Sequence, residues 1–391
     1  MKRAFLSIWV LGVLGCGGGS DVGEPADLGE PAHFAYLEDG AFRRGVLVEA
    51  LWAEELPYAR GLLGSYALPK GGWDRLPVGA ELSLDLDLDT APTSAAEWIA
   101  LGRRVFFEMP MRADGWVAWL VAHPEIWDAV GLPRNADGAP RGIVSYDDAN
   151  GVGRAAVTCA ACHSGDGLVG RGDRGFDIGE ARALFAEARG VDVGPMRTWG
   201  PGRIDVADDG VNGPTAIPDL FGVKHAQYLN YSGSIGLDGG RAAALAVRFE
   251  TQFILGHRME ARPDRRLTWA LAQFVLSLEA PVGPGAFDQV AADGAEVFAT
   301  RCAGCHQSER GYSGGLVDAA ALTSDPTVAN TPERGTGFYK VPALLGVGHA
   351  APYLHDGSAP DLDALLSSGH PSGQSIPTDQ RVALVAFLNT L

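Results

Sequence analysis

Two copies of one five-residue pattern constrain this chain more than any other feature. Residues 159–163 read CAACH and residues 302–306 read CAGCH, so each copy has two thiols three positions apart and then a histidine. At this spacing both thiols can bond covalently to the two vinyl groups of a haem while the adjacent imidazole binds its iron. A Cys₄ zinc site or a disulfide pair are the alternatives, but neither needs a histidine directly after each pair.

The sequence therefore predicts two covalently bound c-type haems. The attachment residues are Cys159, Cys162, Cys302 and Cys305, and the proximal iron ligands are His163 and His306.

The N-terminus has the pattern of an export signal. A basic start (MKR) precedes the apolar residues 4–14, and Val13-Leu14-Gly15-Cys16 resembles a lipobox, although Leu14 is larger than usual there. Residues 1–16 are predicted to be a lipoprotein signal peptide, with lipidated Cys16 as the mature first residue and an ordinary cleaved signal as the alternative. Gly17 is not the Asp that marks inner-membrane retention, so we expect anchoring on the periplasmic side of the outer membrane. No other segment is apolar enough to span a bilayer, so the membrane is contacted only through this lipid.

The net charge of the chain limits the classes of partner that it is expected to bind. A formal net charge of −17 argues against nucleic acid, since phosphate contacts require a basic face. The same charge suits a small, basic electron-donor protein such as a cytochrome c, because opposite charges speed encounter.

Composition and periodicity divide the chain into segments. Residues 17–33 are rich in Gly, Pro and acids and are predicted to be a flexible tether, followed by a helical N-terminal extension over 34–100. Ser94-Ala95-Ala96-Glu97 is a capping box, which predicts a helix running to about Glu108. Two haem units are predicted at 101–280 and 285–391, joined by a Pro-rich linker. The predicted fold is mainly α, with two cytochrome c-like haem domains in tandem.

The two predicted units look like copies of each other. Residues 217–226 (IPDLFGVKHA) match 341–350 (VPALLGVGHA), and each unit closes with an apolar helix, at 263–278 and 377–391. Residues 101–107 and 293–300 are the predicted entry helices. The main asymmetry is an insertion over residues 108–158, before the first haem motif.

The repeat also selects candidates for the second axial ligands. His257 and His370 each follow a glycine and lie 21 residues before the end of their unit's last helix. In small cytochromes c the distal ligand arrives on the loop before that helix. His370 is therefore the expected ligand of the second haem, with His349 and His355 as alternatives. For the first haem we expect His257, with Met259 on the same loop and Met196 as rivals.

The segments Tyr339–Leu344 (YKVPAL) and Ala351–Ser358 (APYLHDGS) resemble the bacterial dihaem cytochrome c peroxidase superfamily. That superfamily includes the methylamine-utilisation dihaem enzymes and the dihaem rubber oxygenases. The likeness covers residues 100–391. It implies that electrons enter at the second haem and pass to the first, where peroxide is reduced.

The resemblance also implies roles for particular residues. Tyr231 corresponds to the aromatic residue that bridges the haems, and Glu250 or Glu260 to the acid–base group. A calcium ion is a further candidate cofactor, since three residues match the family's calcium site: Asn212, Ala350 and Pro352.

Two departures from the family pattern leave other functions open. His370 stands near the position of the family's distal Met, so the second haem is expected to have two histidine ligands. Residues 164–212 supply no distal histidine for the first haem. The leading hypothesis is an exported dihaem peroxidase that reduces hydrogen peroxide or another small oxidant. The alternatives are a non-enzymatic electron carrier with two histidines on each iron, and a haem oxygenase of the rubber-oxygenase type.

Overall fold

The fold is described from a computed structural model. It describes residues 36–38, 43, 72–84, 86, 92–148, 150–205, 210–237, 240–332 and 334–391. The predicted signal peptide and tether lie outside these residues, as does most of the N-terminal extension. Within them the chain is mainly α-helical, as predicted, and its strands are short.

Nine α-helices lie within the described residues. They are α1 (Ala95–Glu108), α2 (Gly115–Ala122), α3 (Cys159–Cys162), α4 (Ile178–Ala188), α5 (Arg241–Gly256), α6 (Arg265–Leu276), α7 (Gln289–Arg301), α8 (Leu362–Ser367) and α9 (Thr378–Leu388).

The described strands form four antiparallel pairs. They are β1 (Ile143–Asp147) with β2 (Gly153–Val157), β3 (Arg203–Ile204) with β4 (Thr215–Ala216), β5 (Tyr228–Leu229) with β6 (Ile235–Gly236), and β7 (Leu316–Asp318) with β8 (Phe338–Lys340).

Helix α1 begins at the predicted capping box. The Ser94 hydroxyl accepts from the Glu97 N–H at 3.3 Å, and the Glu97 carboxylate accepts from the Ser94 N–H at 3.1 Å. These reciprocal bonds satisfy two backbone donors that a helix start leaves free. The helix runs to Glu108, so this prediction is confirmed.

The entry helix and the last helix of each unit cross at a glycine. A Cβ on Gly102 of α1 would lie 1.9 Å from the carbonyl oxygen of Ala270 on α6. A Cβ on Gly294 of α7 would lie 2.0 Å from that of Ala383 on α9. Only glycine allows backbones to approach this closely. The same kind of helix–helix contact therefore occurs in both units.

Aromatic packing repeats beside each crossing. The rings of Phe106 and Phe274 lie 5.3 Å apart in the first unit, and those of Phe298 and Phe387 lie 5.3 Å apart in the second. Burying each ring contributes about 1.5–3 kcal/mol. The predicted helical frame of each unit is present, although α7 begins at Gln289, earlier than predicted, because Asp288 caps it by accepting from the Ala291 N–H.

The described part of the N-terminal extension packs onto α5 and α6. Tyr36, Trp73 and Leu82 are almost fully buried there, and the Tyr36 ring contacts Trp269 at 5.7 Å. Residues 80–82 form a 3₁₀ turn that carries Leu82. The extension thereby buries one face of α6. The corresponding face of α9 has no such segment over it among the described residues, and its Val382 is exposed.

The insertion over residues 108–158 builds its own small core. Helix α2 ends before Pro124, which continues as a 3₁₀ turn, and β1 and β2 form a hairpin leading into the first haem motif. Trp116 is buried in this core. The His123 Nδ1–H donates to the Trp119 carbonyl oxygen at 2.7 Å and the imidazole stacks on the Trp119 ring, which gives His123 a structural role.

Within the part of the chain that is described, no helix combines the length and apolarity needed to cross a membrane.

Candidate haem sites

The first haem motif forms a single helical turn followed by its histidine. Cys159 and Cys162 lie on α3, and His163 ends it. The His163 Nδ1 lies 3.0 Å from the Pro218 carbonyl oxygen, so Nδ1 carries the proton and donates. Among the described residues Nε2 has no protein partner, which is the state in which histidine ligates a metal. Burial lowers the pKa of His163 to about 4, which keeps the imidazole neutral at pH 7.

The second motif repeats this arrangement. The His306 Nδ1 lies 2.8 Å from the Tyr312 carbonyl oxygen, and the Pro342 backbone also lies within hydrogen-bonding range of the ring. Pro342 occupies the position of Pro218 in the predicted repeat. The repeat therefore places the same backbone segment behind both imidazoles, and the pKa of His306 is likewise lowered by burial.

The four motif thiols are unpaired, so the predicted disulfide alternative has no support. Burial raises the pKa of Cys159 and Cys162 to about 12 each. No group of three or more His, Cys, Asp or Glu side chains is placed to hold a metal ion in the described residues, which include both motifs. The residues present therefore fit a covalently bound haem and do not fit a Cys₄ zinc site.

His370 lies in the loop between α8 and α9, near the proximal histidine of its unit. Burial, and to a smaller extent repulsion by a protonated His306, lower the pKa of His370 to about 4. His370 is therefore neutral at pH 7. This placement agrees with His370 as the second axial ligand, which stays a prediction.

His257 is placed differently. Its Nε2 lies 2.9 Å from the Pro110 carbonyl oxygen, and its Nδ1 lies 3.5 Å from a Glu81 carboxylate oxygen. In this conformation Nε2 is hydrogen-bonded to the backbone and Nδ1 faces a carboxylate. The ligand role of His257 stays a prediction.

The rival ligands of the first haem are no better placed. Met259 is 55% exposed on the turn after α5. Met196 begins a half-buried 3₁₀ turn beside Gly179. Neither residue is shown to face His163.

Tyr231 joins the two units through hydrogen bonds. Its hydroxyl donates to the Ala216 carbonyl oxygen at 2.9 Å, two residues before Pro218. Its own carbonyl oxygen accepts from the Lys340 N–H at 2.9 Å, two residues before Pro342. Tyr231 therefore contacts the two backbone segments that lie behind the proximal histidines. Its role as an aromatic bridge between the haems stays a prediction.

The two predicted acid–base residues differ sharply in environment. Glu250 is fully buried on α5 and pairs with Arg265 at 2.9 Å, while Arg265 and Arg43 both contact Asp74. Desolvation raises the pKa of Glu250 despite the nearby guanidinium groups. This paired carboxylate has a structural role, which argues against acid–base catalysis. Glu260 is exposed on the turn after α5, and its predicted role stays a prediction.

Asn212, the predicted calcium residue, is held by two side chains. Its Oδ1 accepts from Trp199 Nε1 at 3.0 Å, and its Nδ2 donates to Thr198 Oγ1 at 3.1 Å. The amide is thus oriented without an ion. Calcium stays a prediction.

Comparison with known proteins supports the haem assignment in the second unit. A family model described as RoxA-like, cytochrome c-like matches residues 337–371, a segment that contains Tyr339, Lys340 and His370. This segment is therefore cytochrome c-like. A search of curated proteins finds no match.

Two solved structures are distantly similar in shape. Hydrazine synthase of Kuenenia stuttgartiensis, pressurized with 20 bar xenon, has 16% identity and a TM-score of 0.38, covering 78% of this chain and 95% of that one. A MauG-like protein associated with microbial copper homeostasis has 15% identity and a TM-score of 0.42, covering 83% of this chain and 94% of that one.

Sequence reasoning missed an aromatic–histidine cluster beside Tyr231. His355 is 6% exposed, stacks on the Tyr339 ring at 4.7 Å and meets the Tyr231 ring edge-on at 6.2 Å. Its backbone carbonyl oxygen accepts from the Ala216 N–H at 2.7 Å, across the two units. The segment that contains it was singled out by resemblance, but nothing local in the sequence indicates which residues meet across the repeat.

Proposed function

We propose that this chain is an exported dihaem c-type oxidoreductase of the peroxidase type. The observation that carries the proposal is an asymmetry between two equivalent sites. His370 lies beside His306, whereas the expected partner of His163, His257, has both nitrogens facing protein oxygens. An iron with two protein ligands suits electron transfer, and an iron with one leaves a position for a small oxidant.

Particular residues have defined roles in the proposed reaction. His163 and His306 would hold the haem irons through Nε2, because backbone carbonyl oxygens fix Nδ1 as the hydrogen-bond donor. Bound haem supplies one-electron chemistry and peroxide cleavage. The net reaction takes hydrogen peroxide, two electrons and two protons to two water molecules. We propose Glu260 as the proton-transfer group, since Glu250 is committed to Arg265.

Tyr231 is the proposed electron route between the sites. Its ring lies between backbone segments of the two units and is fixed at both ends by hydrogen bonds of 2.9 Å. The proposed donor is a small basic protein, because the net charge of −17 favours encounter with an opposite charge.

A turnover assay tests this function. The haem-loaded protein is mixed with a reduced basic c-type cytochrome and hydrogen peroxide, and oxidation of the donor is followed by absorbance. We expect two donor molecules oxidised per peroxide, with activity that falls as salt rises because surface charges are screened. Absence of peroxide-dependent donor oxidation, with both haems attached, would favour the electron carrier instead.

The proposed location is the periplasmic side of the outer membrane, through a lipid on Cys16. Labelling with radioactive palmitate in a bacterial host tests this point. Cys16→Ser should abolish the label, whereas label that persists in this variant would contradict the lipobox.

A further inference from the structure

Lys340 stands out because its ammonium group has no anionic partner among the described residues. It is one of four lysines in the chain, and it ends β8 in a half-buried position. Its Nζ lies 6.0 Å from the centre of the Tyr231 ring. Across the described part of the chain, no carboxylate lies within ion-pair distance of it. Burial lowers the pKa of Lys340 to about 8, and no charged neighbour offsets this.

Other half-buried cations in the same region do have partners. Arg171 pairs with Asp166 at 3.0 Å, and Arg174 pairs with Asp219 at 3.1 Å. Lys224, within the first copy of the repeat, pairs with Glu279. Because burying a cation without a counter-ion is costly, a lone lysine in this position indicates that an anion belongs beside it.

The place of Lys340 in the fold indicates which anion this is. The lysine lies two residues before Pro342, whose backbone lies behind His306, and its own N–H donates to the carbonyl oxygen of Tyr231. Its side chain therefore lies between the two haem units. The proposed cofactors carry carboxylates of their own, the haem propionates, and these are the anions expected between the units.

We propose that Lys340 binds a haem propionate at the junction of the two units and thereby raises the reduction potential of that haem. The ammonium acts as a fixed positive charge that favours the reduced, less positive iron. The inference rests on the attachment of both haems in the proposed function. It does not depend on peroxide being the substrate.

Redox titration followed by absorbance, on the full chain with both haems attached, tests the proposal. Lys340→Met removes the charge and keeps the length of the side chain. We expect the potential of one haem to fall by the equivalent of a tenfold change in its reduction equilibrium, about 59 mV for one electron. Lys340→Arg and the matched control Lys224→Met should leave both potentials unchanged. Unchanged potentials in Lys340→Met, with full haem content, would overturn the proposal.

Two further variants test the remaining explanations of a changed potential. Should Lys340→Met fail to fold, Lys340→Gln removes the charge while keeping polarity, and it is held to the same criterion. If Lys340 acted only on the aromatic ring, its effect would vanish in a Tyr231→Leu background, and that result would also overturn the proposal. The same fall in potential in that background supports it. Peroxide turnover does not enter these measurements, so failure of the proposed function would be seen separately.

Discussion

The hydroxyl of Tyr231 donates to the carbonyl oxygen of Ala216 at 2.9 Å. Ala216 lies two residues before Pro218, whose carbonyl oxygen accepts from His163 at 3.0 Å. The backbone of Tyr231 meets the corresponding segment of the second unit at Lys340. One residue, through its side chain and its backbone, thus connects the two segments that lie behind the proximal histidines.

This connection predicts a kinetic effect. Tyr231→Leu should slow electron transfer between the haems at least tenfold, since it removes the ring from the proposed route, whereas Tyr231→Phe keeps the ring and should slow it less. Rapid mixing of the half-reduced protein with peroxide, followed at the absorbance of the second haem, measures the rate. Equal rates in wild type and Tyr231→Leu would exclude this residue from the route.

The glycine at the helix crossing predicts a change in stability. Gly102→Ala would normally favour a helix by about 0.5–1 kcal/mol, but its Cβ would meet the Ala270 carbonyl oxygen at 1.9 Å. We expect net destabilisation of about 1–3 kcal/mol, typical of overpacking, measured by urea denaturation. Gly304→Ala is the matched control, because nothing lies within 4 Å of its Cβ position and the first motif carries Ala161 there. Equal stability of the two variants would contradict the crossing.

Variants of Glu250 and Glu260 distinguish a structural role from a catalytic one. Glu250→Gln leaves Arg265 with a weaker partner in the core, and removing one member of a buried pair costs about 3–5 kcal/mol. We expect lower stability in denaturant and unchanged turnover per folded molecule. Glu260→Gln should show the reverse, with normal stability and reduced turnover. Loss of turnover in folded Glu250→Gln would restore its predicted catalytic role.

We expect His355 to account for part of the loss of folding stability at acidic pH. Burial lowers the pKa of His355, although Asp356 and Asp325 partly oppose this. A histidine with a lowered folded pKa stabilises the protein above its unfolded pKa of about 6.5, and that contribution is lost as pH falls through the folded pKa. The unfolding free energy of wild type should therefore fall more steeply below pH 6.5 than that of His355→Gln, by up to about 1.4 kcal/mol per pH unit. Parallel curves from chemical denaturation would contradict this.

Much of the frame was predictable because its signals are local. The capping box at Ser94 set the start of α1, and apolar periodicity located α6 and α9 close to their observed limits. The internal repeat also predicted that residues 218 and 342 serve equivalent positions, and both lie behind a proximal imidazole.

The site was less predictable where it depends on distant contacts. His257 looked equivalent to His370 by its distance from the last helix, but its partner Pro110 lies 147 residues away and comes from the inserted segment. Glu250 looked like an acid on a loop, yet it lies within α5 and faces Arg265. The repeat could not show these differences, because the insertion and the extension have no counterpart in the second unit.

Electron paramagnetic resonance of the oxidised, fully haem-loaded protein tests the proposed open site at His163, with wild type compared with His370→Ala and His257→Ala. We expect one high-spin and one low-spin haem in wild type. His370→Ala should convert the low-spin signal to high-spin, and His257→Ala should leave both signals unchanged. Two low-spin haems in wild type, one of them lost in His257→Ala, would contradict the proposed open site at His163.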